Sequence, residues 1–115
     1  MSQSSDDRTV VYEPILTRST KVRFYIPTEK DGADEVIDEV IRRLSHLFGG
    51  ATQLPARGAY VMNDGELCLE SVTLVESFAV EMDTAELTRL ALQIKESLDE
   101  EAVAFETEEI ESAFI

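Results

Sequence analysis

The stretch Lys21-Val22-Arg23-Phe24-Tyr25-Ile26-Pro27 alternates without a fault. Val22, Phe24 and Ile26 fall on one face, and Lys21, Arg23 and Tyr25 on the other, which is the period of a half-buried strand. Pro27 closes it. The next segment changes period. From Asp31-Gly32-Ala33-Asp34 onward, Val36, Ile37, Val40, Ile41, Leu44, Leu47 and Phe48 recur at helical spacing. Asp31 or Asp34 is expected to cap that helix, and Gly49-Gly50 to end it in the left-handed conformation. Asp38 and Glu39 each precede an arginine by four residues, which predicts the ion pairs Asp38–Arg42 and Glu39–Arg43.

After a loop containing Pro55 and Gly58, Ala59-Tyr60-Val61-Met62 is a short strand. Asn63-Asp64-Gly65 is a hairpin signal, because these residues tolerate positive φ. The returning strand runs from Glu66 to about Val80. Leu67 and Leu69 share one face, whereas Val72, Leu74, Phe78 and Val80 share the other, so a bulge near Glu70-Ser71 is expected. Asp83-Thr84-Ala85-Glu86 matches a capping box, and Leu87, Leu90, Ala91, Ile94 and Leu98 form the stripe of a second helix. Ala102-Val103-Ala104-Phe105 reads as the last strand.

Strand, helix, strand, strand, helix, strand is the order of a ferredoxin-like α+β sandwich, a four-stranded antiparallel sheet with two helices on one face. The expected domain spans residues 20–105. Residues 1–19 form an N-terminal arm with a short extra strand at Val10-Val11-Tyr12, and residues 106–115 an acidic C-terminal tail. Ile110, Phe114 and Ile115 suggest that the tail is a short helix docking on its own domain or a peptide folding on a partner.

The middle of the chain resembles small ferredoxin-like bacterial families. The resemblance rests on Phe48-Gly49-Gly50-Ala51-Thr52, on Gly58-Ala59-Tyr60, and on the hairpin Asp64-Gly65-Glu66-Leu67 ahead of Glu70. Tyr60 stands where those families usually have Trp. Glu100-Glu101-Ala102-Val103 departs from their Gln-Glu-x-Val approach to the last strand. The resemblance implies the ferredoxin-like fold and carries no activity with it.

The 115 residues hold 24 acidic and 10 basic side chains, a formal charge of −14. Residues 1–58 contribute −1 and residues 59–115 contribute −13. Such a surface argues against direct nucleic-acid binding and against an anionic membrane. At molar salt the Debye length falls to about 3 Å and the self-repulsion is screened, so salt adaptation explains the acid. An ordinary acidic bacterial or phage protein with an acidic tail, and an acidic inhibitor or nucleic-acid mimic seated on a basic protein partner, are the alternatives.

One cysteine, Cys68, excludes an intramolecular disulfide, and no apolar leader opens the sequence, so a cytoplasmic protein is expected. His46 is the only histidine and reads as a helix surface residue. One His and one Cys cannot close a zinc site, and no EF-hand spacing is present, so neither metal nor cofactor is called for. Gly49-Gly50 ends a helix, whereas phosphate loops open one.

No nucleophile–base pair emerges. A non-enzymatic binding or regulatory module is the expected function, homodimeric through its open sheet face. Lys21, Arg23 and Tyr25 are the candidate ligand or interface residues, meeting Glu70 or Glu76 across the sheet, with Tyr60 beside them. A small carboxylate enzyme, with Glu70 and Tyr60 or Tyr25 as acid–base partners, is the third reading.

Overall fold

The computed structural model describes residues 13–14, 16–80 and 83–115. Six elements follow in the expected order: β1 (Leu16–Pro27), α1 (Ala33–Phe48), β2 (Thr52–Val61), β3 (Leu67–Ala79), α2 (Thr84–Leu98) and β4 (Phe105–Phe114). The sheet order is β2-β3-β1-β4 and every neighbouring pair is antiparallel. The chain therefore has the ferredoxin-like α+β fold.

The alternation of β1 is realised as read. Val22, Phe24 and Ile26 are fully buried and pair with β3, where Val75, Ser77 and Ala79 are buried on the same side. Ile37, Val40 and Leu44 of α1 and Leu87, Leu90 and Ile94 of α2 close over them. Phe24 stacks on Phe105 with ring centroids 5.5 Å apart. One layer of aliphatic and aromatic side chains between sheet and helices is thus the core, and its burial supplies the main driving force.

Several local expectations change. The N-cap of α1 is Gly32, at φ 83°, with no side-chain cap; Asp34 and Glu35 instead lie in the first turn, where they complement the helix dipole. Arg42 pairs with Glu39 rather than Asp38, at 3.3 Å, and Arg43 donates to Gln93 of α2 at 3.1 Å. Gly49, at φ 97°, does end α1, its N–H donating to the Ser45 carbonyl. Asp83 does cap α2, accepting from the Ala85 N–H at 2.9 Å.

The strands differ more. Pro55 and Gly58 lie inside β2, not in a loop. A proline survives there because β2 is an edge strand and its missing N–H faces away from the ladder. The register of β3 runs unbroken against both neighbours, so there is no bulge at Glu70-Ser71. The register shift lies between Arg18 and Thr20, whose partners in β4 are Ser112 and Glu109. Three residues of β4 are therefore crossed for two of β1, so the extra residue belongs to β4.

The last strand is also displaced from Ala102–Phe105 to Phe105–Phe114. The segment read as an acidic tail is an edge strand paired with β1, and not a docked helix. β1 correspondingly begins at Leu16, inside the segment expected to be an arm, and the extra strand expected at Val10–Tyr12 lies outside the described residues. No helix among the described residues is long and apolar enough to cross a membrane.

Candidate functional site on the open sheet face

The helices cover one face of the sheet. Antiparallel register decides what stands on the other: Lys21, Arg23 and Tyr25 from β1, and Cys68, Glu70, Val72, Leu74, Glu76 and Phe78 from β3. This face divides into an ion-paired centre and an open cleft.

At the centre, Arg23 stands opposite Glu76 in β3 and Glu106 in β4. Its Nε donates to Glu76, its Nη1 to Glu106 Oε1 at 2.6 Å, and its Nη2 lies 3.7 Å from Glu108 Oε1. Lys21 Nζ is 3.7 Å from Glu76 Oε1 and sits over the Phe78 ring, 4.7 Å from its centroid. Tyr25 donates its hydroxyl proton to Glu106. That bond and the Arg23 guanidinium hold the Glu106 carboxyl below the usual carboxylate range; the same bond, with burial, raises Tyr25 against the opposing effect of Arg23. The basic set thus meets Glu76, as one of its two expected partners, and the acidic β4 supplies the rest. The guanidinium of Arg23 is committed within the chain, which makes this centre a cross-strand clamp.

Further along β1, Tyr25 is also one wall of a cleft of about 600 Å³. Tyr60 of β2 and Glu70 and Val72 of β3 form its floor and opposite wall; the α2–β4 connection closes it with Asp99, Glu100 and Glu101. Lys30, from the β1–α1 connection, is the one cation in this lining. It pairs with Glu100 Oε2 at 2.7 Å and donates to the Asp99 carbonyl at 3.3 Å. Asp99 itself takes a left-handed φ of 52° at the C-cap of α2, which turns the three acidic residues toward the sheet.

The electrostatics follow from this crowding. Burial raises the Glu70 carboxyl, and Glu100 and Glu29 raise it further against the opposing field of Lys30. Tyr60, opposite Cys68 in the ladder, is pushed up to about 12, by hydrogen bonding with Cys68 and by the charge of Glu70. Both tyrosines are therefore neutral donors at physiological pH, and Glu70 takes up a proton more readily than an exposed glutamate does.

Of the residues singled out in the sequence, Tyr25, Tyr60 and Glu70 meet at the cleft, while Lys21 and Arg23 belong to the clamp beside it. The wall Asp99–Glu101 shows in the sequence as a run of carboxylates at a helix C-terminus, where the dipole disfavours negative charge and a cation or basic partner is suggested. Nothing in the sequence singles out Lys30. His46 is exposed on α1, away from both. Among the described residues no group of three His, Cys, Asp or Glu side chains is arranged to hold a metal ion.

No family model matches the sequence, and no curated protein matches it. Solved structures do match by fold. A phage SAM lyase in complex with S-methyl-5'-thioadenosine superposes with a TM-score of 0.63 at 19% identity, over 87% of this chain and 88% of that one. The apo state of a phage SAM lyase gives 0.59 at 16% identity, over 90% and 91%. A Bacillus cereus protein related to NIF3 gives 0.55 at 13% identity; the match covers 89% of this chain and 28% of that longer one. At these identities the likeness is one of fold.

Proposed function

We propose that this chain is a small-molecule-binding module whose open-face cleft takes a cationic ligand with a flat aromatic portion. The composition of the cleft carries this reading: four carboxylates, Glu70, Asp99, Glu100 and Glu101, against Lys30, between two tyrosines. Carboxylates in a partly desolvated recess attract a cation more strongly than they do in open water. Tyrosine faces add cation–π attraction and a surface for stacking.

The fold likeness to a phage SAM lyase suggests the probes. SAM carries a positive sulfonium centre, and S-methyl-5'-thioadenosine presents the same aromatic group without that charge. Calorimetric titration in molar KCl is expected to show tighter binding of SAM than of S-methyl-5'-thioadenosine. Glu70→Gln should weaken SAM about tenfold, roughly 1.4 kcal/mol, and leave the neutral probe within twofold. No binding of either probe, or an unchanged SAM affinity in Glu70→Gln, would sink the reading.

A second reading is favoured by the raised proton affinity of Glu70 beside two neutral tyrosines. There the same cleft is a carboxylate-dependent enzyme, with Glu70 as general acid or base and Tyr60 or Tyr25 as its hydrogen-bonding partner. Product analysis after incubation with SAM separates the two: a binding module returns SAM intact, and an enzyme consumes it in a Glu70-dependent way.

The charge belongs to the same proposal. Carboxylates concentrated in residues 59–115 suit a salt-rich cytoplasm, where cations screen β4 and the α2–β4 connection. Near-ultraviolet circular dichroism followed from low to molar KCl should show a cooperative gain of tertiary structure. Full native signal in the absence of salt would remove salt adaptation and favour an acidic inhibitor of a basic partner.

A further inference from the structure

Toward its turn, the β2–β3 hairpin leaves its helix-side face uncovered. Along β3 that face is buried at Thr73, Val75, Ser77 and Ala79, each no more than 4% exposed. Two and three pairs further out it holds Leu69, 51% exposed, and Leu67, 65% exposed. Their ladder partners on the same face are Ala59 and Val61, the latter 68% exposed. Four apolar side chains thus make a continuous bare stripe in a chain of net charge −14. A strictly alternating strand with one face left uncovered is the pattern of a face that another surface completes.

Charge at the two ends of the stripe says what that surface is. At the base stands Arg57, exposed, on the same face by its pairing with Ser71, and in no ion pair among the described residues. At the tip, in the turn, stands Asp64, also exposed, its Oδ1 accepting from the Glu66 N–H at 2.9 Å; Glu66 itself alternates onto the other side of the arm with Cys68 and Glu70. The order along the arm is positive base, apolar middle, negative tip. From Arg57 the strand runs about five residues to Met62 at the mouth of the turn, roughly 17 Å.

We infer that the arm is a self-association surface, and that its occupant is the arm of a second copy of this chain, packed face to face about a two-fold axis. Such an axis lays tip over base twice, so Arg57 of each copy meets Asp64 of the other while Leu67, Leu69 and Val61 interdigitate. A two-fold contact demands a patch complementary to itself, and this sequence of charges meets that demand. The opposite side of the arm carries Tyr60, Cys68 and Glu70, so the contact leaves the cleft open and stiffens its outer wall.

Sedimentation equilibrium of the full chain in molar KCl tests this. The wild type is expected to be a dimer, and Leu67→Glu to weaken it on the order of 100-fold, as truncation of a central contact does. Leu67 lies outside the core, so the variant should keep its circular dichroism. If Leu67→Glu fails to fold, the charge pair decides: at the lowest KCl concentration that keeps the native circular dichroism, Arg57→Glu weakens the dimer severalfold, and Arg57→Glu/Asp64→Arg restores it. A wild type that is monomeric throughout overturns the inference. So does a dimer indifferent to Arg57→Glu, or one that Phe78→Glu dissociates and Leu67→Glu does not, which would place the contact on the open sheet face.

Discussion

Phe24→Ala should cost this protein about 3–5 kcal/mol, a large part of the roughly 5–15 kcal/mol that holds a domain of this kind together. Phe24 is fully buried at the centre of the sheet, paired with Val75 on one side and Phe105 on the other. Its ring is stacked on that of Phe105. Truncation leaves a cavity that the backbone of the two central strands cannot close, because both are tied into ladders on each side. β4 feels the loss directly, since Phe105 is its first residue and one of its few apolar anchors. Urea unfolding in molar KCl measures the effect as a lower midpoint at unchanged slope. A loss below about 1 kcal/mol would show that the site collapses freely and that this layer is not the core.

The second large effect is expected at Arg23. Substitution by Met keeps much of the stem and removes the charge, leaving Glu76, Glu106 and Glu108 facing one another across three strands. Breaking a buried pair costs about 3–5 kcal/mol and a surface pair about 0–1 kcal/mol. Arg23 lies between these limits, with 21% of its side chain exposed and 15% of that of Glu76. A loss of about 1–3 kcal/mol follows. The double variant Arg23→Met/Glu76→Leu should recover part of it, because the least exposed of the three carboxylates goes with its partner, while Glu106 and Glu108 remain in solvent.

The clamp also sets a pH dependence. The carboxyl of Glu106 is held below its ordinary value by Tyr25 and Arg23. Its contribution is therefore present above the unfolded glutamate pKa, about 4.3, and is lost as pH falls through the lower folded value. Arg23→Met should flatten that acid limb. An unaltered acid limb and an unaltered midpoint would together show that the clamp is an exposed surface pairing.

Much of this was legible in the chain. The clean alternation of Lys21–Pro27, the helical stripes that follow Asp31 and Asp83, and the turn at Asn63–Gly65 each obey one local rule, and together they specify βαββαβ. Tyr25, Tyr60 and Glu70 were legible as polar or aromatic members of strands that face away from the helices. β4 was misread because Phe-Glu-Thr-Glu-Glu-Ile-Glu-Ser-Ala-Phe, residues 105–114, pairs on one side only and is largely exposed. An edge strand with little apolar surface looks like a solvated tail until its partner is known. Pro55 hid β2 for a related reason: whether a proline is tolerated depends on being at an edge, which is a property of the sheet.

Local sequence therefore determined the elements, their order, the turn and the buried stripe, since each follows from periodicity within about one element's length. Tertiary structure alone decided which carboxylates face which cations. Arg23 meets Glu76, 53 residues away, and Glu106, 83 residues away, because the register of two ladders sets them opposite. The cleft likewise exists only because α2 ends in a left-handed turn that carries Asp99, Glu100 and Glu101 back over Tyr60 and Glu70. Coulomb interaction between side chains depends on separation in space, and no local pattern encodes that distance.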